Sequence, residues 1–183
     1  MLHPHMLTKE GSILVVVDVQ DKLLHAIHDW PGVLENTLKM ITFARTLAVP
    51  AIFTEQYPKG LGPTNASIIE RLPGRPVEKT VFSSFGAERF AAELEKAGAH
   101  TLVLVGIEAH ICVLQTALEA LARGYKVHVI ADAVGSRSTA NKEMGLAKLR
   151  QAGAVISTVE IALYEWLGRS DTTEFKAILP LIK

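Results

Sequence analysis

Three side chains, far apart in sequence, are of the types nucleophilic chemistry needs. Cys112 is the only cysteine among 183 residues. It stands in TLVLVGIEAHICVLQTAL (101–118), where an apolar strand-like run gives way, after a short turn, to helical spacing. A thiol in the first turn of a helix lies near free backbone N–H groups and the positive end of the helix dipole. Both favour a thiolate and can receive a developing oxyanion. Asp18 closes the run SILVVVD (12–18), and Lys79 lies in the extended segment RPVEKTVFSSF (75–85). A carboxylate facing a thiol can take its proton when burial raises the carboxyl pKa, and an ammonium beside both balances charge and polarises a carbonyl. Each residue also has a plain structural reading: Cys112 as a small core hydrophobe, Asp18 as a turn or capping residue in DVQD, Lys79 as an exposed lysine in VEKT. His110 is a poor base for Cys112, because residues two apart on a helix do not face each other. It reads instead as a rim or capping residue.

The elements that must position these groups follow from hydrophobic period. Continuous Val/Ile/Leu runs at 12–18, 49–55, 101–106, 126–131 and 154–158 read as strands buried on both faces, and 75–85 reads as extended. Helical spacing is expected over 31–48, 85–97, 110–123, 139–152, 159–168 and 172–179, with a short helix at SIIERL (67–72). Gly98, Gly124 and Gly153 act as stops. Strands alternating with helices of this length imply right-handed βαβ units and a parallel sheet, hence one three-layer α/β domain spanning 1–183 with residues 1–11 as an N-terminal arm. In such sheets ligands bind beyond the carboxyl ends of the strands, where Asp18, Lys79 and Cys112 all fall. The Gly- and Pro-dense loop QYPKGLGPTNAS (56–67) is expected to act as a lid or an intersubunit contact. Trp166 and Tyr164 are either core residues of their helix or interface anchors.

Composition narrows the function classes. With 19 basic and 19 acidic side chains the formal net charge is zero, so no basic face for nucleic acid is implied and self-association into a homo-oligomer is tolerated. The sequence has no apolar run of membrane-spanning length and opens on MLHPHMLTKEGS, which lacks the pattern of a secretory signal. With one cysteine and no disulfide possible within the chain, the expected location is cytoplasmic. VVVDVQDKLLHA has no glycine-rich phosphate loop after the first strand, and no C-x-x-C redox pair exists. His25 and His28, three apart, could share a helix face, but two ligands without a third make a poor metal site. No metal and no cofactor are expected.

Taken together, ILVVVDVQ, EKTVFSSF and LVLVGIEAHICV resemble the isochorismatase-like cysteine hydrolases, over about residues 12–167, and TEQYPKGLGPT and HVIADAVGSRS resemble the isochorismatase-domain-containing branch of that family. The resemblance implies an αβα sandwich on a six-stranded parallel sheet and a catalytic triad of Asp18, Lys79 and Cys112. It also implies a cis peptide at Ile107–Glu108, which would aim the N–H groups of Glu108 and Cys112 at one point as an oxyanion hole. The metal-binding cluster of the nicotinamidases has no counterpart in FTEQYPKGLGP, and retention of the cysteine favours acyl chemistry over vinyl-ether hydrolysis. The expected reaction is hydrolysis of a C–N bond in a small molecule through a thioester; the rival is a catalytically silent oligomeric scaffold or binding protein of the same fold. Nearness in sequence to the triad makes Gln20, Tyr57, Phe82, Phe85 and Ile111 the candidate pocket residues, with Glu108 and His110 at the mouth.

Overall fold

The computed structural model describes residues 3–72 and 74–181. The chain runs β1 (Ser12–Val17), α1 (Asp21–Leu24), α2 (Trp30–Thr46), β2 (Ala51–Gln56), α3 (Pro58–Leu61), α4 (Ala66–Ile69), β3 (Val77–Lys79), α5 (Glu88–Lys96), β4 (Thr101–Ile107), α6 (Cys112–Ala122), β5 (Lys126–Gly135), α7 (Thr139–Gln151), β6 (Val155–Ser157), α8 (Val159–Leu167) and α9 (Thr173–Ile178). The six strands form one parallel sheet in the order β3-β2-β1-β4-β5-β6. Strand side chains alternate between faces. Leu14, Val16, Val103 and Val105 therefore pack with α2, α8 and α9, while Ile13, Val15, Leu102 and Leu104 pack with α5, α6 and α7. These two cores make the αβα sandwich. The arm is tied down: Leu7 is buried in the first core and its N–H donates to the Glu165 carboxylate at 3.1 Å. Trp166 is buried in that same core, whereas Tyr164 is exposed.

Strand order reverses direction between β1 and β4, the switch point at which open α/β sheets leave a crevice. Gly106 sets the spacing there. It pairs with Val17 at φ +108°, and a Cβ at this position would stand 2.2 Å from the Val17 carbonyl oxygen. Only glycine allows this approach, one residue before Asp18 leaves the sheet.

Several elements differ from expectation: the loop 56–67 contains the short α3, and the extended segment 75–85 is strand only over Val77–Lys79 before a 3-10 turn at Ser84–Gly86. β5 continues past residue 131 to Gly135, because its pairing with β4 shifts register between Leu104 and Gly106 and takes up extra residues. Asp132 interrupts the apolar run there and caps α8 through Val159 N–H at 2.9 Å. Residues 25–28 are not helical, since α1 ends at Leu24. His25 packs edge-on against Trp30 while His28 lies beyond the helix, so the two do not share a helix face.

Candidate active site

β1 ends in a turn that only a few residue types tolerate. Asp18 adopts φ +50°, a left-handed conformation in which Asp and Asn are enriched, and its carbonyl accepts the Gln20 N–H at 2.8 Å. The turn carries the carboxylate away from the strand and toward β2. There Thr54 Oγ1 accepts the Asp18 N–H at 3.2 Å and donates to Asp18 Oδ1 at 2.6 Å. Lys79 reaches the same carboxylate from the edge of the sheet, across the intervening β2. Its Nζ lies 2.6 Å from Asp18 Oδ2 and 2.7 Å from Gln56 Oε1, and both charged side chains are fully buried. Adjacent strands lie about 4.8 Å apart, so a side chain on β3 must be long to reach β1 across β2. Lysine meets that length, and β2 supplies Thr54 and Gln56 as supports along the way. The segment after Lys79 is fixed to α6 by Ser84 N–H donating to Thr116 Oγ1 at 2.9 Å and Ser83 Oγ donating to Glu119 at 2.6 Å.

Cys112 is the first residue of α6, after the turn 108–111 that follows β4. It is buried but borders a cavity. Burial pushes its thiol up to about 12; the Asp18 charge pushes the same way and Lys79 opposes it. The thiol is therefore protonated at rest, contrary to the expectation of a thiolate held by the helix end. The Ile107–Glu108 peptide is cis. Among the described residues, the N–H groups of Glu108, His110 and Cys112 have no hydrogen-bond acceptor, whereas those of Ala109, Ile111 and Val113 do.

The cavity at Cys112 has a volume of about 510 Å³. Leu23, Ala26, Leu61, Phe82, Ile107 and Ile111 form its apolar walls, and Lys22, Gln56, Glu108 and Arg137 its polar ones. Of the five candidate pocket residues, Phe82 and Ile111 stand in this lining, and Gln20, Tyr57 and Phe85 do not. Gln20 is wholly buried, its amide spent on Gln56 N–H, Gln56 O and Gly62 O at 2.7–3.0 Å. Tyr57 is exposed in a separate groove of about 310 Å³ with Pro58, Glu78 and Thr80. Phe85 is a core residue, edge-on to Phe90 and beneath the Arg123 guanidinium. Sequence proximity cannot distinguish a side chain that faces the cavity from one that fastens the wall behind it. The loop 56–67 is fastened to this wall: besides Gln20, Glu55 Oε1 holds Thr64 through its N–H and hydroxyl at 2.7 and 2.8 Å.

Glu108 accepts the Arg137 N–H at 3.0 Å and lies 3.1 Å from Arg137 Nε, joining the turn after β4 to the turn after β5. His110 Nδ1 lies 2.9 Å from Ser136 Oγ, a rim position in the same junction. Lys22, Leu23, Ala26, Gln56, Leu61 and Arg137 were not anticipated as cavity residues. For Leu23 the local signal was the short LL pair of α1, too brief for a period, while Leu61 and Arg137 lie in TEQYPKGLGPT and HVIADAVGSRS without a local sign that they face a cavity.

The family model for the isochorismatase domain matches residues 12–161. Human isochorismatase domain-containing protein 2 is 41% identical over 175 residues, covering 94% of this chain and 83% of its own. Among solved structures, one described as the MAR1 ribonuclease of Caenorhabditis elegans superposes with a TM-score of 0.89 at 39% identity, covering 96% of this chain and 91% of that one. YcaC of Pseudomonas aeruginosa, solved with hexane-2,5-diol and covalent acrylamide, gives 0.90 at 25% identity, covering 98% and 92%.

Proposed function

The chain belongs to the isochorismatase domain family, and from that premise we propose that it is a cysteine hydrolase cleaving a C–N bond of a small amide-like molecule. The observation that carries this reading is the fully buried Asp18–Lys79 pair, 2.6 Å apart, beside the chain's one thiol at the wall of a cavity. Two charges are costly to bury, and a buried pair beside a cavity and a thiol marks a candidate functional site.

In the proposed reaction the substrate carbonyl carbon approaches Sγ. Asp18 accepts the thiol proton as the S–C bond forms, and Lys79 stays hydrogen-bonded to the carboxylate and holds it in place. The carbonyl oxygen takes the displaced electron pair and is received by the N–H groups of Glu108 and Cys112. Losing one such donor typically costs about 2.7–4 kcal/mol of barrier. The C–N bond then breaks, Asp18 returns the proton to the departing nitrogen, and a thioester remains on Cys112. Water attacks the thioester while giving a proton to Asp18. The C–S bond breaks, the carboxylic acid leaves, and the proton returns to sulfur.

Cys112→Ala is expected to abolish turnover in a panel of small amides, ureides and imides while leaving the thermal transition near that of the wild type. Intact-mass spectrometry is expected to trap an acyl adduct on the wild type alone. Undiminished hydrolysis by Cys112→Ala would refute the scheme. Because the C. elegans neighbour is described as a ribonuclease, single-stranded RNA belongs in the same panel. Cleavage of RNA that persists in Cys112→Ala, with no amide hydrolysed, would point away from acyl chemistry.

A further inference from the structure

The cavity beside Cys112 has more cationic than anionic capacity at its polar wall. Arg137 spends its Nε on Glu108, and its two terminal nitrogens have no partner among the described residues. Lys22 Nζ donates to the Gly60 carbonyl at 3.0 Å and has no carboxylate within ion-pair distance among the described residues. Gln56 is fully engaged: its Oε1 takes Lys79 and its Nε2 donates to Thr80 O at 3.0 Å. With Cys112 protonated and Asp18 matched by Lys79, two cations and one carboxylate line the rest of the cavity, a surplus of one positive charge. The other lining side chains are apolar.

Resting on the hydrolase reading above, we propose that the substrate is an amide with an apolar body ending in a carboxylate, and that Lys22 and Arg137 bind that carboxylate. One surplus positive charge matches one carboxylate; a phosphate monoester would bring about 1.5–2 negative charges. A guanidinium with both terminal nitrogens free offers the planar fork that carboxylates accept in bidentate fashion. The volume of about 510 Å³ accommodates such a chain with its amide end at the thiol.

The test uses the chain's single thiol as its own reporter. Wild type is alkylated with iodoacetate and, separately, with iodoacetamide, probes of similar size that differ by one charge. In each, sulfur displaces iodide, the C–S bond replaces C–I, and the thiol proton passes to solvent. Intact mass reports one site, since Cys112 is the only cysteine. The quantity read is the iodoacetate-to-iodoacetamide rate ratio. It is expected to fall about tenfold in the double variant Lys22→Met/Arg137→Gln and to fall in the same sense in Lys22→Met alone, which leaves the Glu108–Arg137 link in place. Lys96→Met, at an exposed site on α5, is expected to leave the ratio unchanged. An unchanged ratio in both cavity variants, or an equal fall in Lys96→Met, overturns the proposal.

A second arm compares hydrolysis of glutaramate with that of butyramide, with glutaramate the expected preference. A fall in the alkylation ratio with neither amide hydrolysed would leave the anion site standing and remove the hydrolase reading. Hydrolysis with an unmoved ratio, and no preference for glutaramate, would do the reverse.

Discussion

Asp18→Asn separates the charge of the carboxylate from its shape, and its effects should run in opposite directions. The substitution keeps volume and one carbonyl oxygen for Lys79 or Thr54, but removes the proton acceptor and the counter-charge. Turnover should fall by about 10²–10⁴, the usual worth of a positioned general base. Stability should fall by about 3–5 kcal/mol, because Lys79 is left buried with only neutral acceptors, Gln56 Oε1 and Val81 O. The thiol should respond the other way. Burial is the largest cause of its raised pKa, but the Asp18 charge comes next, and removing it leaves Lys79, which lowers the value. Each unit of decrease multiplies the thiolate present at pH 8 about tenfold, while a less basic thiolate is about threefold less nucleophilic. The net gain is about threefold in alkylation per unit. Amide turnover, a urea transition and iodoacetamide labelling of Cys112 by intact mass measure the three effects. Labelling that stays level would refute the claim that Asp18 bears directly on the sulfur, labelling that slows would show loss of the base outweighing the gain in thiolate, and retained turnover would refute its role as base.

Further expectations come from other parts of the fold. Burial, then the charges of His5 and Lys126, push the His128 imidazole down to about 4, below its unfolded value near 6.5. The unfolded chain thus binds the extra proton between those values. The His128 contribution is complete above about pH 6.5 and is lost progressively toward pH 4, up to about 3 kcal/mol. Urea midpoints should drop between pH 7 and pH 5 in the wild type and drop less in His128→Leu; equal drops would contradict this. Gly106→Ala should cost on the order of 3 kcal/mol or more, since its Cβ meets the Val17 backbone at a positive φ, and a thermal transition near that of the wild type would disprove the close approach. Thr54→Val should cost about 1–3 kcal/mol in urea and lower turnover by loosening Asp18, with Thr54→Ser restoring both.

The legible parts of this protein were those in which sequence period and structure share a cause. Strands buried on both faces must be continuous apolar runs, so β1 and β4 could be read directly, and Asp18 and Cys112 with them, because each interrupts or follows a run. Lys79 was visible from its place in an extended segment near a strand end, but β3 has three residues and no period to fix its direction, and its triad role came from the resemblance. Cavity walls were harder still. Whether Gln20 faces a ligand or fastens a loop depends on where Gln56 and Gly62 pass, contacts separated by 36 and 42 residues. Phe85 and Phe82 lie three apart in one extended segment, yet the first is packed on Phe90 and the second is half exposed in the lining. No local pattern separates them, because the difference is made by the 3-10 turn Ser84–Gly86 and its tie to α6.

The state of the thiol is where local reasoning gave the wrong sign. A helix N-terminus stabilises a nearby anion by about 0.3–1 kcal/mol, and up to about 2 in partly buried sites, which is at most about 1.5 pKa units. Burial can move an ionisable group by up to about 3–5 units in the opposite direction. At Cys112 burial dominates, and the adjacent Asp18 carboxylate adds to it. A protonated nucleophile cannot attack unaided at neutral pH, so on the proposed mechanism the Asp18 charge that suppresses the resting thiolate also supplies the base that removes the proton during attack. Lys79 then serves the carboxylate more than the sulfur, by holding a buried base in place at 2.6 Å. On that mechanism reactivity depends on how sulfur and carboxylate are placed, and Gly106 and the left-handed turn at Asp18 shape the β1–β4 side of the site.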